Sequence, residues 1–248
     1  DISEVNPALT CYLRDDPAPG YVAKSEAWDG TSWTEVNNLN TARRECSVGS
    51  GLSNSAALNI GGYSGSARLA NTEKWDGTNW TESTALNSGR YGLAGAGTQT
   101  DNIVFAGSPE PGGVSITEQW DGSSWTEVGD LNEVKREMAS CGTSTAGLVF
   151  GGELPSPFSA ETESWNGSAW TEVNNLNTTR RYLAGTGSNT ANIASGGYTT
   201  TPVATTEEYN KSTTVITAGA WASGGNHPQA VRRGASAGTQ NAAWYVVG

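Results

Sequence analysis

An all-β fold built from repeated four-stranded units is what this sequence predicts. Three observations carry that expectation. One short phrase returns four times. Glycine is abundant, at 32 of 248 residues, alongside ten tryptophans and many Ser, Thr and Asn. Long helical stretches rich in Ala, Leu, Lys and Glu are absent, which favours short strands and turns. The chain is long enough for one large domain or two small ones, and for a sizeable core.

The phrase sets the period. It reads "SEAWDGTSWTEV" from Ser25, "TEKWDGTNWTES" from Thr72, "TEQWDGSSWTEV" from Thr117 and "TESWNGSAWTEV" from Thr162. Its first aromatic falls at Trp28, Trp75, Trp120 and Trp165, then Tyr209, and its second at Trp33, Trp80, Trp125 and Trp170, then Trp221. The first four are spaced by 45 to 47 residues. In the fifth, "NKSTTVITAGA" separates the two aromatics, which reads as a longer hairpin tip.

Each unit divides into four strands. A basic residue or pair comes first: Arg43-Arg44, Arg90, Lys135-Arg136, Arg180-Arg181 and Arg232. A small-residue strand follows, such as "LAGAGTQT" from Leu93 or "LAGTGSNT" from Leu183. Then an apolar strand ends in glycine, as in "LNIGG" from Leu58 and "LVFGG" from Leu148. The third strand ends at the first aromatic and the fourth begins at the second. Between them Asp-Gly or Asn-Gly closes a hairpin, because these residues accept positive φ at low cost. The aromatics on the two arms are expected to pack between units.

Four-stranded units at a period of about 45 residues point to a β-propeller, with the small-residue strands innermost, where blades converge. Five blades are expected, the last joined from both ends of the sequence. Arg232–Gly248 supplies its inner pair and Tyr21–Val36 its outer pair. Residues 1–16 are then an N-terminal arm, and 17–248 form the propeller.

The set of repeats resembles the kelch repeats of the galactose-oxidase-like propeller superfamily. "NIGGYSGSARLANTEKWDGTNWTESTALNSGR" keeps their order: an apolar strand, di-glycine, Tyr, a variable loop, two aromatics, "LN" and Arg. The wording "WDGTSWTEVNNLNTAR" also looks like kelch-type repeats in structural proteins of marine bacteriophages, cyanophages in particular. That resemblance implies a virion or extracellular setting, in a tail fibre or appendage. It implies partners among other virion proteins or a host-surface glycan, and it allows a homo-oligomer.

Charge and composition exclude other classes. The formal net charge of −11 argues against general nucleic-acid binding, which needs a basic footprint. No apolar run approaches the roughly 20 residues that span a bilayer as a helix. Copper oxidation, as in the superfamily's namesake, needs several His and Tyr ligands, and zinc hydrolysis needs a comparable set. His227 is the only histidine, so no cofactor or metal is expected. Cys11, Cys46 and Cys141 form no regular framework. Cys46 and Cys141 are not expected to pair, and a Cys11–Cys46 bridge stays open.

A non-enzymatic binding or structural module is therefore the expectation. A secreted carbohydrate-active enzyme and a cellular kelch adaptor are the alternatives. Two sets of candidate ligand contacts follow. Arg43, Arg90, Lys135, Arg180 and Arg232 start the inner strands and would ring one mouth of the axial channel as an anion site, unless they pair with the recurring Glu26, Glu73, Glu118, Glu163 and Glu208. Tyr63, Phe158 and Tyr198 lie in the loops between strands two and three. Those loops vary most between repeats, and variable loops on a rigid scaffold are where recognition concentrates. The recurring Asp29, Asp76 and Asp121 are expected to shape turns rather than bind calcium.

Overall fold

The computed structural model describes residues 8–11, 21, 23–29, 31–53, 55–109, 112–154, 157–211, 220–226, 235–239 and 242–246. Among them every regular element is a strand. β1 (Ala8–Cys11), β2 (Ser25–Trp28) and β3 (Trp33–Val36) make a three-stranded antiparallel sheet. Four complete four-stranded sheets follow. The first holds β4 (Ser47–Ser53), β5 (Ala56–Ile60), β6 (Thr72–Trp75) and β7 (Trp80–Ser83). The second holds β8 (Ala94–Gly97), β9 (Asn102–Phe105), β10 (Thr117–Trp120) and β11 (Trp125–Glu127). The third holds β12 (Ala139–Thr143), β13 (Ala146–Phe150), β14 (Thr162–Trp165) and β15 (Trp170–Val173). The fourth holds β16 (Ala184–Gly187), β17 (Ala191–Ser195), β18 (Thr206–Asn210) and β19 (Ala220–Ser223). β20 (Ala235–Thr239) and β21 (Ala242–Val246) form a two-stranded sheet.

In every complete sheet the strands pair in sequence order, each with the next. The aromatics sit opposite one another across the outer hairpin: Trp75 with Trp80, Trp120 with Trp125, Trp165 with Trp170, and Tyr209 with Trp221. The longer connection before Trp221 lies largely outside the described residues, yet this pairing is kept.

One expectation is corrected. β20 and β21 do not join β2 and β3 in a single sheet. The edge of β2 is taken by β1, with Ala8 opposite Trp28 and Cys11 opposite Ser25. β5 takes β6 in the same register, with Ala57 opposite Trp75 and Ile60 opposite Thr72. "ALTC" therefore fills the second-strand place that "ALNI" fills in the next sheet. Part of the segment assigned to an arm is a strand of the repeat. Register in a sheet follows the alternation of side chains, so two segments with one pattern compete for one edge.

The hairpin tips explain the Asp-Gly signal. Asp121 Oδ1 accepts the backbone N–H groups of Ser123 and Ser124, each at 2.8 Å. Asp29 and Asp76 do the same two and three residues on, and Asn166 Oδ1 does it for Ser168 and Ala169 at 2.9 Å. The side chain completes a turn, as expected, and the bonds hold the Asp121 carboxyl below the usual carboxylate range, Ser123 contributing most. A pKa depressed by folding adds stability above the unfolded value of about 4, and that stability is lost as pH falls toward the folded value. Asp121→Ala is expected to lower the melting temperature at neutral pH. Asp121→Asn should leave it nearly unchanged, since Asn166 already does this work, but should remove its part of the acid dependence. Thermal melts of the three proteins at neutral and acid pH check this.

The core lies between sheets. Ile103, Phe105 and Ala96 of the second complete sheet pack with Val149, Trp165 and Trp170 of the third. Leu58 and Ile60 pack in the same way with Val104, Trp120 and Trp125, and Leu148 and Phe150 with Ala194 and Tyr209. Phe105 meets Trp170 edge-on at 4.8 Å. Trp75, Trp120 and Trp165 are almost fully buried. The second tryptophan of each pair reaches back one sheet: Trp80 Nε1 donates to Ser25 Oγ at 3.0 Å, Trp125 to Thr72 Oγ1 at 3.1 Å, and Trp170 to Thr117 Oγ1 at 3.1 Å. A buried indole N–H needs such a partner, and a Ser or Thr at the start of each third strand supplies it.

The small-residue strands face one another in order, β4 beside β8, then β12, β16 and β20. Just before them the backbone of Glu45, Gly92, Glu137 and Tyr182 turns through positive φ, between 52° and 63°. These four residues are linked. The Gly92 N–H donates to Glu45 O at 2.8 Å, Glu137 to Gly92 O at 2.8 Å, and Tyr182 to Glu137 O at 2.9 Å. The second strands then end on a pair with positive φ, such as Gly61 and Gly62 at 65° and 105°. A Cβ on Gly61 would stand 2.7 Å from Arg90 O and one on Gly62 2.8 Å from Arg44 O, so close backbone approach as well as φ demands glycine.

Candidate functional site

The residues just ahead of each inner strand lie in short bridged segments and point two ways, because successive side chains on an extended backbone alternate. Arg43, Arg90, Lys135 and Arg180 turn inward and are buried. Each meets a glutamate on the third strand of its own sheet. Arg43 pairs with Glu73 and Arg90 with Glu118, Lys135 Nζ lies 3.1 Å from Glu163 Oε1, and Arg180 Nη2 donates to Glu207 Oε1 at 2.9 Å. The other glutamate oxygen is held by an asparagine. Asn87 donates its backbone N–H and its side-chain amide to Glu118 Oε2, both at 2.8 Å, and Asn40, Asn132 and Asn177 repeat the arrangement. This accounts for the "LN" of each unit: Leu39, Leu86, Leu131 and Leu176 are buried, and the Asn after each caps the glutamate. Arg43 and Arg180 also donate to carbonyls that join strands two and three, at Gly61 and Asn71 and at Gly196 and Thr205.

Of the two readings of these cations, an anion-binding ring or pairing with the recurring glutamates, the structure shows the pairing for four of them, and the ring is corrected. Their charges are buried and neutralised inside the sheets. Arg232 lies outside the described residues, as does His227. The partner in the fourth complete sheet is Glu207 and not Glu208, because the paired glutamate stands two residues before the aromatic in all four complete sheets.

The residues one step on, Arg44, Tyr91, Arg136 and Arg181, turn outward. Each meets the loop after the second strand through the backbone: Arg44 with Tyr63, Tyr91 with Ser108, Arg136 with Glu153, and Arg181 with Tyr198. The variable loops and the strand starts therefore share one surface, as expected. Tyr63, Phe158 and Tyr198 all lie on it, half-buried. Phe158 and Tyr198 meet edge-on at 6.1 Å. The Arg181 guanidinium stands 4.8 Å from the Phe158 ring centre, 4.6 Å from Tyr182 and 5.6 Å from Tyr198. Tyr63 belongs to a second group, 5.8 Å from both Tyr21 and Tyr91.

Charged contacts connect the two groups. Arg136 donates to the Tyr91 hydroxyl at 3.3 Å and reaches Glu153 at 3.3 Å. Arg181 pairs with that same Glu153, and with Glu137 at 2.9 Å. Burial pushes the Glu137 carboxyl up, against the pull of Tyr182 and of Arg181 and Arg136. Burial works against the Arg181 charge, but Tyr182, Glu137 and Glu153 outweigh it and raise its pKa.

Arg44, Arg136, Arg181, Tyr21, Tyr91 and Tyr182 were not among the sequence-selected contacts. The signal was present in "RR" and "KR": adjacent residues on a strand face opposite sides, so the second of each pair is the outward one.

Cys46 and Cys141 are free thiols, and burial pushes both upward. The Cys11 side chain lies outside the described residues. Among the described residues no three of His, Cys, Asp and Glu come together as a metal-binding group. No protein-family model matches the chain, and no curated protein matches it.

Proposed function

We propose that the chain is a kelch-like β-propeller that binds through its loop face and performs no catalysis. In this reading each four-stranded sheet is a blade. The successive packing of small-residue strands, and the backbone bonds from Glu45 to Tyr182, support an axis lined by those strands. We place the module in a virion or surface appendage, where it joins partner proteins or attaches to a host-surface glycan. The setting rests on the resemblance of the repeat wording.

One contrast carries the binding reading. The inward positions repeat the same cation–glutamate–asparagine set in four sheets. The outward positions, one residue away, vary: Arg with Tyr in two units, Tyr with Ser in a third and Arg with Glu in the fourth. The constant set maintains the scaffold, and the variable set carries half-buried aromatic rings with polar edges, the composition of a recognition surface.

Binding of the purified chain to an array of bacterial and algal surface polysaccharides, with product analysis on each hit, tests this. The expected result is binding without turnover, reduced at least about tenfold when Tyr63, Phe158 and Tyr198 are replaced by Ala, a loss within reach of one or two aromatic contacts. Turnover of any polysaccharide overturns the non-enzymatic reading. Binding that survives the triple replacement moves the site off the loop face.

A further inference from the structure

The three outward arginines are not equivalent. Arg136 and Arg181 are tied to Glu137 and Glu153, with side chains 25% and 22% exposed. Arg44 is 47% exposed, and its nearest carboxylate, Glu45, stands 4.0 Å away. Among the described residues its guanidinium donates no hydrogen bond. It is held instead by ring contact, 5.5 Å from the Tyr21 ring centre and 5.4 Å from that of Tyr63. Cation–π contact engages the flat face of a guanidinium and leaves its N–H edge for a ligand.

The two rings are fixed by the loop they flank. The Tyr63 hydroxyl donates to Gly65 O at 3.0 Å. The Tyr21 ring lies directly on Gly65, where a Cβ would stand 2.3 Å from a ring carbon. The rings meet at 74°, so they form two walls of a corner with the Arg44 charge beside them.

We propose that the Tyr21–Arg44–Tyr63 corner binds a carboxylate-bearing sugar, a uronate unit of an acidic polysaccharide. The inference rests on the reading of the loop face as a glycan-binding surface and names the ligand class for one part of it. The N–H edge of Arg44 matches a planar carboxylate in two-point contact. A tyrosine face beside it suits the C–H face of a pyranose ring. The net charge of −11 opposes long-range attraction of any polyanion, so recognition here is local: Arg44, whose nearest carboxylate stands 4.0 Å away, matches the carboxylate of one sugar unit.

Titration calorimetry with an oligogalacturonate and its carboxyl-reduced counterpart of equal length tests the inference. The wild-type chain is expected to bind the uronate at least about tenfold more tightly than the reduced oligomer, a difference set by one charged hydrogen-bonding group. Arg44→Gln should lose that preference while keeping its melting temperature. Arg44→Lys should recover only part of it, since an ammonium lacks the two-point fork. Gly65→Ala should weaken the uronate by displacing Tyr21. Equal binding of both oligomers by the wild type overturns the inference and leaves the loop face as a neutral-sugar site. Full uronate preference in Arg44→Gln overturns it as well. Tighter binding of an Asp- and Glu-rich peptide reassigns the corner to a protein partner. Failure of the wild type to bind any saccharide withdraws the glycan reading of the whole face together with this one.

Discussion

Arg90→Ala is expected to destabilise the chain by about 3–5 kcal/mol, the range for removing one partner from a buried ion pair. Arg90 and Glu118 are both fully buried. The loss comes from what remains: Glu118 would keep its two bonds from Asn87 but hold an uncompensated charge away from water. The pair itself is weaker evidence of stabilisation. Among the described residues Arg90 Nε and Nη2 find no hydrogen-bond partner, so the guanidinium is incompletely satisfied there. A double replacement, Arg90→Met with Glu118→Leu, is therefore expected to be much less destabilising than Arg90→Ala or Glu118→Leu alone. Urea denaturation of the wild type, Arg90→Met, Glu118→Leu and the double replacement measures the coupling. Single replacements that unfold no more easily than the double one would refute this account of the inward cations.

Trp120→Ala should have an effect of the same size, about 3–5 kcal/mol, for a different reason. Its ring is fully buried, lies 5.1 Å from Trp125, sits under Lys74 Nζ at 5.5 Å, and donates from Nε1 to Gln99 O at 2.9 Å. Removing it opens a cavity between two sheets that a close-packed interior cannot collapse to fill. Trp28→Ala tests the positional part of the argument. Trp28 occupies the equivalent place in β2 but is only half-buried, so its loss should lower the urea midpoint distinctly less. Equal losses at the two positions would show that packing between complete sheets is not what the tryptophans provide.

Much of this was legible in the sequence because the repeat displays each position several times. The hairpin at "WDGTNW", the small-residue strand and the aromatic packing all follow from spacing and turn chemistry. The burial of Arg43, Arg90, Lys135 and Arg180 did not, because a basic residue at a strand start reads equally as a surface charge. Only the facing glutamate and its Asn cap decide the matter, and they lie about 30 and 3 residues away in opposite directions. Glu208 was an error of one residue in "TTEEYN", avoidable by counting back two from Tyr209. The strand at Ala8–Cys11 was also readable from "ALTC" beside "ALNI", but the tryptophan phrase that marks a unit comes after it. The Tyr21–Arg44–Tyr63 corner was beyond reach, because three segments build it and only the fold brings them together.

The indole bonds from Trp80, Trp125 and Trp170 to the hydroxyls of Ser25, Thr72 and Thr117 have a genetic consequence. The units of Thr72 with Trp80 and of Thr117 with Trp125 carry both halves of the joint, an indole for the unit behind and a hydroxyl for the unit ahead. A gene that misaligns with its own copy by one repeat during recombination produces a chain longer or shorter by a whole unit. Every joint in that product is still matched. The same exchange brings different loops side by side, so new combinations of outward residues arise without any change to the parts that hold them.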